Sequence, residues 1–135
     1  PTLPAETILA RDYADRRLLL VEDEPFNQEI TLIMLQEIWP VVDLAEDGLQ
    51  AVECVRNKRY DLILMDMQMP RMDGLDASRQ LRTLPNGVEV PVIAMTGNAF
   101  VEDRNRCFGA GMNDFLSKPV HPNDLFEVIL KWVRR

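Results

Sequence analysis

The stretch DLILMDMQMPRMDGLDASRQLR, residues 61–82, changes its hydrophobic period part-way along. Leu62 to Met65 is an unbroken apolar run that stops at Asp66. A loop marked by Pro70 and Gly74 follows, and then a segment of helical character over 74–82. A short continuous apolar run suits a strand buried on both faces of a parallel sheet. The unit is therefore strand, loop, helix.

The same unit recurs on either side. RLLLVE (17–22) leads into PFNQEITLIMLQEI (25–38), VVDLA (41–45) into DGLQAVECVRNK (47–58), PVIAM (91–95) into FVEDRNRCFGAG (100–111), and DFLS (114–117) into PNDLFEVILKWVRR (122–135). Five strand-then-helix repeats in about 120 residues are too few to close an eight-fold barrel and predict an open, doubly wound α/β sheet. In the last helix Leu125, Val128, Ile129, Trp132 and Val133 form a core stripe, and Phe126 and Leu130 are the residues that would serve a surface pairing through the last two helices. Asp47 is placed to cap the second helix, Pro122 to open the fifth, and Gly109 or Gly111 to end the fourth. Residues 1–16 carry two prolines and no sustained period, so they read as a linker or tail that packs weakly; the domain proper spans 17–135.

The chain has 135 residues, 47% of them hydrophobic, with 15 Lys and Arg against 22 Asp and Glu, a net charge of -7. That length gives one domain, burying roughly 70% of the surface exposed by the unfolded chain. The acidic balance argues against nucleic acid, whose partners concentrate Lys and Arg. No run approaches the roughly 20 apolar residues of a membrane span, so no membrane contact and a cytoplasmic location are expected. Cys54 and Cys107 stand apart without a CxxC pattern and read as small helix residues, not zinc ligands.

In an open α/β sheet, ligands bind outside the carboxyl ends of the strands. At those ends stand Glu22-Asp23-Glu24, Asp66, Thr96 and Lys118-Pro119. Two carboxylates about 4 Å apart repel by roughly 4 kcal/mol at an effective dielectric near 20, so clustering them calls for a cation. Hard oxygen ligands suit Mg²⁺. With Lys118 and the Thr96 hydroxyl to hold phosphoryl oxygens, Asp66 becomes a candidate nucleophile for a phosphoryl group. Taken singly, each of these residues is an ordinary cap or turn former; their joint placement favours the chemical reading.

At this point the sequence resembles the receiver domain of two-component response regulators. VEDEPFNQEI is similar to that family's acidic motif, DLILMDMQMPRMDG to its phosphoacceptor motif, AMTGNAF to its threonine motif and FLSKPVHPNDL to its lysine motif, all in family order. The forms VEDEPFNQ, MDMQMPRMDG and SKPV most resemble receivers of hybrid sensor histidine kinases. The resemblance implies a flavodoxin-like five-stranded parallel sheet of order 2-1-3-4-5 with five helices, in three α/β/α layers. It implies that Asp66 is the phosphoacceptor and that Glu22 and Asp23 position Mg²⁺ with Asp66 and the Gln68 backbone carbonyl. It also implies that Thr96, Lys118 and Phe115 bind the phosphoryl group or switch with it, and that Gln68 and Asn98 tune dephosphorylation. Phe115 stands where Tyr is frequent, so a switch here would run on packing without a hydroxyl.

The implied partner is a phosphohistidine-bearing kinase or phosphotransfer domain. On the first helix Ile30, Met34, Leu35 and Ile38 supply a core stripe, which leaves Phe26 and Ile33 on another face. That pair either docks the partner or folds against its own domain. No nucleotide-binding motif is present, so the chain would catalyse its own phosphorylation and dephosphorylation without ATP. His121 reads as a surface or capping residue. The expected context is a hybrid kinase, with a place in the cytoplasmic part of a membrane-anchored sensor as one option, a free-standing regulator as the alternative and a monomer or weak dimer as the assembly. An aspartyl phosphohydrolase of the haloacid-dehalogenase type would place its nucleophile after the first strand and need a cap; a degenerate, interaction-only receiver would lack some of the chemical residues present here.

Overall fold

The computed structural model describes residues 3–67, 69, 72–97 and 101–134, the side chains of 101–103 excepted. Its elements are α1 (Ala5–Asp12), β1 (Leu18–Val21), α2 (Pro25–Leu35), β2 (Asp43–Ala45), α3 (Gly48–Asn57), β3 (Leu62–Asp66), α4 (Gly74–Leu81), β4 (Val92–Thr96), α5 (Val101–Gly109), β5 (Asp114–Ser117) and α6 (Pro122–Val133), with a 3-10 turn at Pro85–Gly87. The strands form one parallel sheet in the order β2-β1-β3-β4-β5. Strand order reverses between β1 and β3, which is where such sheets open a crevice for ligands.

Side chains alternate across a strand, so each continuous apolar run feeds two cores. Leu19, Val21, Ile63, Met65, Val92 and Ala94 point to the α3–α4–α5 side, where Ala51, Val55, Leu81 and Cys107 meet them. Leu18, Leu20, Leu62, Leu64, Ile93 and Met95 point to the other side, against Leu35, Trp39, Leu125 and Ile129. Burial on both faces holds for β1 and β3 throughout, and for β4 up to Met95. It fails at the edge strands: Leu44 of β2 is exposed and Ser117 of β5 is exposed, because an edge has a neighbour on one side alone.

Caps set the helix boundaries. The Asp47 carboxylate accepts from the Gln50 N–H at 2.8 Å, Asp73 does the same for Asp76 at 2.9 Å, and Pro122 opens α6. After α5 the chain turns at Gly111, whose φ of +92° a side chain would strain. The Arg82 guanidinium closes that end of the sheet, donating to the carbonyls of Gly111, Gly87 and Val90 and to Asn113 Oδ1.

Three expectations are corrected. The segment expected to pack weakly contains a sixth helix, α1: Leu9 is fully buried, and Ala5, Ile8 and Tyr13 pack around the same core. Its stripe spans two turns, too few for the period to stand out in sequence. Phe126 and Leu130 are buried at 2% and 7% exposure, because α1 packs along α6 and widens its apolar contact beyond the stripe that faces the sheet. On α2 the inward residues are Thr31 and Leu35, followed by Ile38 and Trp39, whereas Ile30 is 42% exposed. Of the expected stripe, Leu35 and Ile38 are buried and Met34 packs against the core, so Ile30 alone departs from it, with Thr31 taking the inward position one residue on.

Candidate functional site

The strand registers bring the polar strand ends together. Val21 lies opposite Met65, which sets Glu22 level with Asp66; Asp66 lies opposite Met95, and Thr96 opposite Ser117, which carries Lys118 to the same rim. Carboxylate oxygens of Glu22, Asp23 and Asp66 all lie within 4.8 Å of one another, with Glu22 and Asp66 buried and Asp23 half-buried. Lys118 Nζ stands 2.9 Å from Asp66 Oδ1 and 3.6 Å from Glu22 Oε1. The Lys118–Pro119 peptide is cis, and the Lys118 N–H donates to the Thr96 carbonyl at 2.8 Å.

The β3–α4 loop returns to the site through a close approach. A Cβ on Gly74 would come within 2.5 Å of the Asp66 carbonyl oxygen, and the Gly74 N–H donates to the Met67 carbonyl at 3.2 Å. Only glycine permits that contact beside Asp66.

Electrostatics mark the cluster as incomplete in itself. Burial, then hydrogen bonding and charge repulsion from Asp66, push the Glu22 carboxyl up to about 7 against the pull of Lys118. Burial alone would lower the Lys118 ammonium, but the carboxylates of Asp66 and Glu22 outweigh it and hold it above its ordinary value. Three carboxylates facing one ammonium carry two excess negative charges when ionised. That excess, presented as hard oxygen donors, fits a divalent cation of the Mg²⁺ type.

Thr96 ends β4, half-buried. Phe115 is half-buried on β5, with the Arg104 guanidinium 4.7 Å above its ring centroid. Gln68 and Asn98, expected to supply a carbonyl ligand and to tune dephosphorylation, lie outside the described residues. Phe26 and Ile33 are 66% and 60% exposed, so neither folds against its own domain. His121 is exposed at the start of α6 and makes no capping hydrogen bond through its side chain. Cys54 is half-buried and Cys107 buried, and neither forms a disulfide. The sequence reading overlooked Gln28, Arg104 and Arg82. Each acts on a group distant in sequence or on a backbone carbonyl, and no spacing rule announces such contacts.

The family model of the response regulator receiver domain matches residues 18–130. The chain belongs to that family. Among curated relatives it is 40% identical over 126 residues to hybrid signal transduction histidine kinase B of Dictyostelium discoideum, covering 85% of this chain and 6% of that protein. It is 43% identical over 126 residues to two-component system protein A of Emericella nidulans, covering 90% and 18%. The chain thus spans a small part of the curated relatives it matches. The receiver domain of sensor histidine kinase PA1611 from Pseudomonas aeruginosa PAO1, crystallised with a magnesium ion in its active-site cleft, is 43% identical with a TM-score of 0.83, over 89% of this chain and 98% of that one. A further match, 29% identical with a TM-score of 0.79 over 88% of this chain and 89% of that one, comes from the Saccharomyces cerevisiae co-crystal of the histidine phosphotransfer protein Ypd1 with the receiver domain of the response regulator Ssk1. Among the described residues no helix of this receiver is long and apolar enough to cross a membrane.

Proposed function

We propose that this receiver accepts a phosphoryl group on Asp66 from a phosphohistidine of a kinase or phosphotransfer domain, in a Mg²⁺-dependent reaction. The observation that carries the reading is the buried constellation of Glu22, Asp23 and Asp66 with Lys118 on one rim. Glu22, Asp23 and Asp66 would hold the cation, with the Gln68 carbonyl as a further ligand. Mg²⁺ would supply charge neutralisation for the phosphoryl oxygens and keep the carboxylates ionised.

An Asp66 oxygen attacks phosphorus in line, the O–P bond forms as the P–N bond breaks, and the imidazole leaves with the electron pair and takes up a proton. Imidazole is already an activated leaving group, so the domain's task is orientation and charge balance. Lys118 Nζ, held 2.9 Å from Asp66, moves its ion pair from the carboxylate to the new acyl phosphate. Thr96 donates its hydroxyl to a phosphoryl oxygen, and Phe115 repacks with it, shifting an equilibrium on the α5–β5 face. Gln68 and Asn98 tune hydrolysis of the acyl phosphate.

The identities to hybrid kinases favour a receiver that is part of such a kinase, on the cytoplasmic side; a free-standing regulator is the alternative. A nucleophile after the third strand, beside intact metal and lysine positions, disfavours both the phosphohydrolase and the interaction-only readings. The test is incubation with Mg²⁺ and acetyl phosphate, read by intact mass. The wild-type chain should gain one phosphoryl group; Asp66→Asn or addition of EDTA should abolish it. An adduct that persists in the Asn variant would refute Asp66 as acceptor.

A further inference from the structure

Hydrogen bonds fix nearly every part of the acidic loop. The Glu22 N–H donates to the Ala45 carbonyl at 3.0 Å, and Glu22 Oε2 accepts from the Glu24 N–H at 3.3 Å. Glu24 Oε2 caps α2 at the Asn27 N–H, 2.7 Å away. Among the described residues, Asp23 makes no hydrogen bond or ion pair through its carboxylate. It is the half-buried acid of the three and the one left to a cation.

What holds Asp23 in place is Gln28. Its backbone N–H donates to the Glu24 carbonyl at 2.9 Å, and its side-chain Nε2 donates to the Glu22 carbonyl at 2.6 Å. One residue, a turn into α2, thus grips the chain on both sides of Asp23. The Glu22 carbonyl belongs to the peptide that joins Glu22 to Asp23, so the hydrogen bond to it fixes the backbone where Asp23 begins. Repulsion among the carboxylates opposes their convergence on one point. The amide of Gln28 restrains the backbone against that repulsion.

We propose that Gln28 is a positioning residue for the cation site, orienting Asp23 through the Glu22 carbonyl and so setting metal affinity. The proposal rests on the Mg²⁺ reading above. Groups that orient metal ligands through hydrogen bonds typically contribute 10–100-fold in affinity. Gln28 touches neither the cation nor the phosphoryl group, and its effect falls on the equilibrium of the metal-free loop.

The experiment is calorimetric titration of the EDTA-treated, desalted full chain with MgCl₂, alongside thermal unfolding. Gln28→Leu should weaken Mg²⁺ binding about tenfold while still giving a cooperative melt. Gln28→Glu keeps the size, adds a negative charge that by Coulomb attraction alone would tighten cation binding, and cannot donate at pH 7.5; it should nevertheless bind Mg²⁺ more weakly than wild type. Binding at wild-type strength in the Leu variant, or tighter binding in the Glu variant, would overturn the proposal. Absence of Mg²⁺ binding by the wild-type chain would instead overturn the metal reading on which it rests.

Discussion

At the scale of single residues, the hydrogen bond between the acid Asp43 and the phenol Tyr60 couples folding stability to pH at both ends of the range. Tyr60 Oη donates to Asp43 Oδ2 at 2.6 Å, and Lys58 Nζ approaches the same oxygen at 3.0 Å. The hydroxyl, helped by Lys58, holds the Asp43 carboxyl below its ordinary value of 3.8 despite partial burial. Burial and the Asp43 carboxylate push the Tyr60 phenol above its ordinary value of 10.0. For Asp43 the folded value is depressed, so its contribution is present above pH 3.8 and is lost as pH falls through and below it. For Tyr60 the folded value is raised, so its contribution is whole below pH 10 and is lost as pH rises beyond it. Tyr60→Phe should cost about 1 kcal/mol near neutrality and flatten the alkaline fall in melting temperature between pH 9.5 and 11.5. An unchanged alkaline limb in that variant would show that the phenol plays no part in it.

The helices differ in how far local sequence explains them. α3 has the Asp47 cap that sequence pattern locates, and α4 has a cap of the same kind in Asp73. α1 is different: it has no side-chain cap and eight residues, too short for an isolated helix to persist in water. It forms because Leu9 enters the core beside Trp39, Phe126 and Leu130, and because Trp39 Nε1 donates to the Tyr13 carbonyl at 3.0 Å. Leu9→Ala should therefore destabilise the chain by about 2–4 kcal/mol, a cost typical of a buried leucine, or by less if α1 detaches first. In either case Trp39 should report a more polar surrounding. The measurement is urea unfolding followed by tryptophan emission; a variant with the wild-type midpoint and emission maximum would mean that α1 contributes no stability.

On the scale of the whole molecule, the acidic rim and α2 lie side by side, with Glu22 and Lys118 lining the same groove as Asn27 and Ile30. Phe26, Ile30 and Ile33 are all more than 40% exposed on the helix that starts two residues after Asp23. An apolar face beside a charged, cation-dependent site suits a partner helix that brings its phosphohistidine over Asp66. Replacing Phe26 and Ile33 together with Ser should slow transfer from a phosphohistidine-bearing protein at least tenfold while leaving phosphorylation by acetyl phosphate unchanged. Equal loss with both donors would place these residues in the chemistry or the fold instead of in docking, and full transfer from the protein donor would remove them from the interface. Ile30 joins this surface because Thr31, not Ile30, takes the inward position on that turn of α2.

The strand-then-helix alternation, the candidate acceptor Asp66 and the acids and lysine at strand ends were legible from sequence because each is a local property: an apolar run, a cap, a charge where a run stops. Parallel strands convert that local order into proximity, so residues 22, 66 and 118 could be assigned to one rim before any coordinate was known. Other features depended on packing partners distant in the chain. The helix at Ala5–Asp12, the burial of Phe126 and Leu130, the exposure of Ile30, the Arg82 closure and the grip of Gln28 on Glu22 each require knowing which surface lies opposite. A hydrophobic period shows that a face will be buried, but its direction and extent are settled by what fills the space next to it. Sequence by itself determined the parallel α/β sheet of this receiver and brought its strand-end acids and lysine to one rim. Tertiary structure decided which faces remain open and what holds the acids in place, because close packing and hydrogen bonding act across space without regard to separation along the chain.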